Sequence, residues 1–564
     1  MTEDTTTTTR PEFLRNFAPT WGRKRLTPLS RVPVTAHLGD LWQVAGERGG
    51  DRLVIVDRAA DIDPTGPTDR TYAGWAALVD QAAAWLYEAG VRPWDRVVIM
   101  KSNHLDVALL ACATARIGAI PAELAWTHPP EFAHPMLARL DKPFLITDQQ
   151  RLVQCGLDEQ TLAELTKLTI VVDGRGERAD VIALDDLRGA TAFTVALRAP
   201  EEPMVITHTS GTTGVPKLVM HSAQTAHALT LVEVERWPKF GLRSEDVVGF
   251  CDPFFHQRLT TGMLAMATIT PRMLMLSDPQ SERTHELLAQ HKPTVVETLP
   301  NIYLSWENLA RSPERPFANV RLFINSFDAI HTRTIRTFLD STDHNSPIWV
   351  QSWSQSEAGA MVIRPYTRKT VREVGQRPPP TQVLGWPIPG LCKARAVDPQ
   401  TGEPVPSDTV GLIEIKQPGR CLAYVGEQDR HDLKRNEFWW NTGDLGTVSK
   451  SGAVRLVDRE IDRIPGASAI ELEDVLLDRL PQTTEVVILP NAGNLPVPVL
   501  STTDDAPLDL DQWAKATADL PALAEPIQLR WDEFPRTATW KIRRVQLREH
   551  LLSGSEAIGI GRWT

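Results

Sequence analysis

His208–Lys217 reads HTSGTTGVPK: four hydroxyl side chains and two glycines, closed by a proline and a lysine. It follows the β-rich run VIT, so it reads as a loop leaving a sheet. Glycines let backbone N–H groups approach an anion, the hydroxyls add donors, and Lys217 adds charge. That is a grip for phosphate, but not a P-loop. The P-loop needs Gly-x-x-x-x-Gly-Lys-Ser/Thr, and the residue five after Gly211 is Pro216. An inert Gly/Thr turn shares this composition. The decision therefore rests on whether the rest of the chain carries matching parts.

A chain of 564 residues exceeds what one hydrophobic core serves, which implies two or more domains. Its 42% hydrophobic and 23% charged content is that of a soluble globular protein, and a net charge of −11 argues against a nucleic-acid partner. Cys112, Cys155, Cys251, Cys392 and Cys421 lie far apart without metal-ligand spacing, as reduced thiols of a cytoplasmic protein do. The start, MTEDTTTTTRPEF, has no apolar core and reads as a disordered leader over residues 1–30. The longest apolar stretch, VALLACATARIGAIPA, carries Arg116 and is too short and broken to span a bilayer. No membrane partner is expected.

From residue 70 onward helical and strand periods alternate. YAGWAALVDQAAAWLYEAG is an amphipathic helix with a glycine stop, followed by the buried strand RVVIM. HLDVALLACATARIG and AIPAEL repeat the unit. PFLIT, LTIVV, VITHT, RMLML, PTVVET, VRLFIN and IWVQS continue the β-rich runs. Such alternation predicts α/β architecture with layered, largely parallel sheets. Beyond residue 380, turn signals every few residues predict a small antiparallel β unit. After VDREIDRIPGAS, about a hundred residues hold the helix IELEDVLLDRL, the strands EVVILP and PVPVL, and a charged last helix, the content of a small α+β domain. The expected division is a large N-terminal domain over 1–458 and a small, mobile C-terminal domain over 459–564.

HTSGTTGVPK resembles the phosphate loop of the adenylate-forming (AMP-binding) superfamily, which includes acyl-CoA ligases, luciferases and peptide-synthetase adenylation domains. The resemblance extends through RTYAGWAALVDQAAAWLYEAGVRPWDRVVI and GWPIPGLCKARAVDPQTGEPVPSDTVGLIEI to NTGDLG, LVDREIDRI and PRTATWKIRR, in family order, from about residue 70 to about 550. It implies a two-step acid–thiol ligase. A carboxylate attacks the α-phosphate of Mg·ATP to give an acyl adenylate, and coenzyme A then displaces AMP. Two anions must be brought together, so cations and oriented donors are needed.

The same resemblance implies the roles of particular residues. Ser210, Gly211, Thr212, Thr213, Gly214 and Lys217 would hold phosphate. In QSWSQSEAG, Glu357 would bind Mg²⁺ with Thr212, and Ser356 would contact phosphate. Phe327, Asp328 and Trp353 would flank the nucleotide base, while Asp444 and Arg459 would hold the ribose. Lys541 would bridge the carboxylate and the α-phosphate. His256 and Phe255 in DPFFHQRLTTG, with Ser354 and Gly359, would shape the acid pocket, and Ile461 would be the hinge. The segment lacks the acidic residue that binds a substrate α-amine in peptide-synthetase domains, which favours a non-amino carboxylic acid.

Four departures stand against the family pattern. Trp540 replaces the glycine before the catalytic lysine, and Phe327 and Asp328 replace small residues after RLFIN. Trp353–Ser354 replaces Tyr–Gly, and the hinge has β-branched Ile461 followed by a loop about two residues short. Acyl-CoA ligation is the leading expectation. The departures keep open a variant that receives acyl adenylate from a separate adenylating enzyme, transfer to an acyl carrier protein, and a nucleotide-binding relic.

Overall fold

The computed structural model describes residues 37–552 except 211–213, 236, 238, 460–463, 465–467, 492 and 538. The expected leader lies outside this set.

Two large sheets share an apolar interior. The first has eight strands, in the order Ala423–Tyr424, Leu218–Ser222, Pro203–His208, Ile120–Glu123, Arg96–Met100, Phe144–Thr147, Leu168–Val171 and Ile182–Ala183. Its middle strands are parallel and buried on both faces, which is why they read as unbroken Val/Ile/Leu runs. The helix Tyr72–Glu88 is started by Thr71, whose hydroxyl accepts from the Gly74 N–H at 3.1 Å. It buries Trp75, Val79, Ala82 and Leu86, and pairs with the equally apolar helix Asp106–Arg116.

The second sheet has 14 strands and changes character along its width. Arg272–Met275, Val247–Cys251, Val295–Thr298, Leu322–Asn325 and Ile348–Gln355 are parallel neighbours. From Ile348–Gln355 onward the partners are antiparallel: Gly359–Tyr366, Val383–Pro387, Val454–Arg459, Trp439–Val448, Gly411–Lys416 and Lys393–Val397. The antiparallel unit expected beyond residue 380 is therefore continuous with the parallel sheet. Val383–Pro387 pairs with Gly359–Tyr366 on one side and Val454–Arg459 on the other, so neither edge is left open there.

Residues 468–552 build a separate three-stranded sheet, Thr483–Leu489, Val497–Thr502 and Ile527–Gln528, covered by helices Ala469–Arg479 and Arg544–Leu551. They have their own apolar clusters around Leu472, Leu476 and Val486, and around Val487, Phe534 and Leu547. This part meets the larger one through charged groups. Asp478 binds Arg336 at 2.8 Å, Glu471 binds Arg377 at 3.1 Å, and Asp474 accepts from the Thr332 N–H at 2.9 Å and from the Thr381 hydroxyl. Ile461 lies outside the described residues. All five cysteines are buried and unpaired. Among the described residues, no helix is long and apolar enough to cross a membrane.

Candidate active site

The loop that follows Pro203–His208 is closed at its neck by Thr209 and Lys217. The Thr209 N–H donates to the Lys217 carbonyl at 3.0 Å, and the Lys217 N–H donates to the Thr209 hydroxyl at 3.1 Å. Ser210, Gly214 and Lys217 then line a cavity of about 520 Å³ that Ser356, Glu357, Asp444 and Lys541 line as well. Gly214 has φ +139°, a conformation that L side chains rarely adopt, so this turn requires glycine. Gly211, Thr212 and Thr213 lie outside the described residues.

Charge organises this part of the cavity. Burial pulls the Lys217 ammonium down to about 8, with Glu357 opposing that fall and Lys434 and Arg430 adding to it. Burial pushes the Glu357 carboxyl up, but Lys434, Lys217 and a 2.5 Å hydrogen bond from the Tyr424 hydroxyl outweigh it and hold it below the usual range. An ionised, buried carboxylate thus sits among lysines. It fits a Mg²⁺ ion whose remaining ligands are phosphate and water, and among the described residues no cluster of three or more acidic, His or Cys groups competes for the metal. Ser356 donates to the His208 carbonyl at 3.3 Å, and the backbones of Asp444 and Arg459 are paired in register between the strands Trp439–Val448 and Val454–Arg459, the Arg459 side chain lying outside what the structure describes.

Two residues that depart from the family pattern, Trp540 in place of a glycine and Phe327 in place of a small residue, have a glycine-like backbone. Phe327 has φ 76° and Trp540 has φ 61°, both in the left-handed region that costs bulky residues roughly 1–3 kcal/mol. Packing offsets the strain, because both rings lie against the apolar cluster of Leu299, Tyr303 and Trp349. The Trp540 carbonyl also accepts a 2.5 Å hydrogen bond from the Asn301 amide. The Trp540 ring therefore does not block Lys541; it anchors the lysine's loop on the large sheet.

His256 caps the helix Gln257–Ile269, its Nδ1 accepting from the Arg258 N–H at 3.1 Å. Burial first, then the proximity of His208 and the positive charges of Lys541 and Arg258, hold its imidazole well below its ordinary range, so it is neutral with its proton on Nε2. A second charged group lines the same cavity. Arg258 binds Glu297 through Nε at 2.5 Å and a terminal nitrogen at 2.7 Å, and binds Glu233 at 2.6 Å. Trp237 and Phe240, stacked with centroids 5.3 Å apart, line the same cavity.

Ser210, Gly214, Lys217, His256, Phe327, Asp328, Trp353, Ser354, Ser356, Glu357, Gly359, Asp444 and Lys541 all line this one cavity. Phe255 does not. It is buried behind, its ring stacked on His208 at 5.0 Å and edge-on to Trp126, because the cap at His256 turns its neighbour into the core. Thr209 and Arg258 stand inside the quoted motifs without a role of their own there, and Tyr424, Arg430, Lys434, Glu233 and Glu297 lie outside the site motifs. Arg258 and Glu297 are charges inside apolar runs, RLTTGML and TVVETL, and that mismatch was the available signal.

Residues 41–425 match the family model described as AMP-binding enzyme. The chain is 36% identical to 3-amino-2-hydroxy-4-methoxybenzoate diazotase of Streptomyces cremeus, over 93% of this chain and 97% of that one. It is 24% identical to 4-coumarate–CoA ligase 5 of Oryza sativa subsp. japonica, over 94% and 98%. Its fold matches that of the anthranilate CoA ligase AuaEII in complex with anthranoyl-AMP, with a TM-score of 0.77 and 19% identity over 93% and 99% of the two chains. The chain belongs to the AMP-binding family of adenylate-forming enzymes.

Proposed function

We propose that this enzyme is an ATP-dependent diazotase acting on an aromatic amine of the aminobenzoate class. The full-length similarity to a diazotase supports this, at higher identity than to 4-coumarate–CoA ligase 5. The observation that carries it is the mixed lining of the cavity, to which stacked Trp237 and Phe240 and the Glu233–Arg258–Glu297 group both contribute. A pocket that admits only an aromatic acid gains nothing from three buried charges, whose desolvation is costly. A ring bearing amino and other polar substituents does.

Chemistry links diazotisation to adenylate formation. Converting an arylamine to a diazonium ion needs nitrogen at the oxidation level of nitrite. Nitrite, like a carboxylate, is a small oxyanion with a poor leaving group. Attack of its oxygen on the α-phosphate of ATP releases pyrophosphate and turns that oxygen into the bridging atom of a good leaving group, AMP. Lys217, Lys434 and Lys541 offset the repulsion between the two anions, and Asp444 accepts from the ribose hydroxyls. Glu357 would hold Mg²⁺, which neutralises phosphate charge when bound.

The test offers ATP and ¹⁵N-nitrite with a panel of aminobenzoates at neutral pH, and in parallel ATP and coenzyme A with the same acids. A diazo product carrying ¹⁵N, with AMP and pyrophosphate in equal amounts, supports the proposal. A thioester with no diazo product in the parallel arm replaces it with acyl-CoA ligation. Thioester only from added acyl adenylate, or only on a carrier protein, assigns the corresponding variant.

A further inference from the structure

We propose that Glu233 receives the substrate's amino group: its unpaired carboxylate oxygen accepts an N–H of the arylamine and takes the proton released as the N–N bond forms. This rests on the diazotase reading and adds the base that the reading lacks.

The geometry singles out Glu233. It lies in the last turn of the helix Ala223–Val234 and lines the cavity. One oxygen, Oε1, accepts from Arg258 at 2.6 Å; the other, Oε2, is buried with no hydrogen-bond partner among the described residues. A buried acceptor without a donor is destabilising, and a ligand N–H placed there removes that cost. Glu297 has no such vacancy, since both its oxygens are engaged by Arg258, at 2.5 and 2.7 Å. Arg258 thus holds Glu297 on one side and aims Glu233 on the other.

Charge supports the same assignment. One guanidinium and two carboxylates leave the group one negative charge in excess. Burial pushes the carboxyl of neighbouring Asp252 well above its ordinary range, with Glu297 reinforcing the effect and Arg258 opposing it. Burial likewise raises Glu233, against Arg258 and with Glu297, which makes it a stronger base than a free glutamate. Attack by the amine nitrogen on the nitrosyl nitrogen of the mixed anhydride forms the N–N bond and breaks the N–O bond, whose electrons leave with AMP. The first product is a cation, Ar–NH₂⁺–N=O, and it gives one proton to Glu233. Transfer of the second N–H proton to oxygen, and return of the first, expel water and leave the diazonium cation. Nitrite nitrogen is reduced and amine nitrogen oxidised within this sequence, so no other redox partner is required. Cations appear at its beginning and end, which is where a net negative wall is useful.

The experiment uses the full chain, wild type and the variants Glu233→Gln and Glu233→Asp, with three readouts. These are nitrite-dependent pyrophosphate release without amine, diazo formation trapped by azo coupling, and calorimetric binding of 3-aminobenzoate against benzoate. We expect Glu233→Gln to lower diazo formation by roughly 10²-fold or more while pyrophosphate release stays within about twofold, with partial recovery in Glu233→Asp. Equal losses in both rates, or an unchanged diazo rate, overturn the assignment. If wild type gives no diazo product, the parent reading fails and binding alone decides. A wild-type preference of about tenfold for the aminated acid, erased in Glu233→Gln, keeps Glu233 as the amine acceptor. Absence of that preference overturns it.

Discussion

The imidazole of His256 and the ring of Phe327 lie 4.2 Å apart, although the backbone at Phe327 is left-handed with φ 76°. The aromatic contact is thus made at the expense of local strain, at a position where glycine would be relaxed. Phe327→Gly relieves a conformational cost of roughly 1–3 kcal/mol and loses partial burial of a ring worth about as much. Thermal stability should change by less than about 1 kcal/mol, while KM for the aromatic amine rises by roughly tenfold. A melting curve and amine titrations at saturating ATP check both.

Lys541→Ala should slow nitrite-dependent pyrophosphate release by roughly 10²-fold or more, the usual loss for one preorganised charged donor. Circular dichroism should show the fold retained. Adenylation within a few-fold of wild type would remove Lys541 from the reaction.

Trp540→Gly tests the anchor of the lysine's loop. The backbone can still adopt φ 61°, but the packing against the Tyr303–Trp349 cluster is lost. Amides around Lys541 should exchange faster, and adenylation should slow by about tenfold without a change of KM for ATP. Hydrogen exchange followed by mass spectrometry, beside pyrophosphate kinetics, reads both.

The Lys217 ammonium, pulled down to about 8 by burial, sets a basic limit. Above that pH the free enzyme loses one phosphate-binding cation, so KM for ATP should climb between pH 8 and 10. Stability runs the other way. The unfolded lysine titrates near 10.5, so the unfolded chain binds more protons between pH 8 and 10.5, and this group's contribution grows as pH rises through that window. Lys217→Arg should flatten the KM profile, because guanidinium stays charged.

Lys434→Met removes a cation that keeps Glu357 ionised. The acid limb of kcat/KM for ATP should move to higher pH, and KM for ATP at pH 7 should rise by roughly tenfold. An unshifted limb would show that Lys217 and Tyr424 suffice.

The parallel strands were legible because both of their faces are buried, which forces continuous runs such as RVVIM and RLFIN. Ser210, Lys217, Glu357, Asp444 and Lys541 could be singled out as candidates because each stands in a short motif with fixed spacing, and the fold brings them to one cavity. The antiparallel continuation of the large sheet was not, since it depends on which distant segments pair. Tyr424 is the sharpest case. It reaches Glu357 because Ala423–Tyr424 pairs with Leu218–Ser222, the strand that leaves the phosphate loop, and nothing in AYVGE announces that pairing.

By itself the sequence determined the family, the order of the elements and a set of candidate residues that the fold brings to one cavity, because these are written in local patterns. Only the tertiary structure decided what the cavity presents to the second substrate. Glu233, Arg258 and Glu297 come from two helices and a strand and become one charged wall only when those elements pack. Side-chain chemistry is local, whereas burial, pairing and net charge belong to neighbours that the chain supplies from far away.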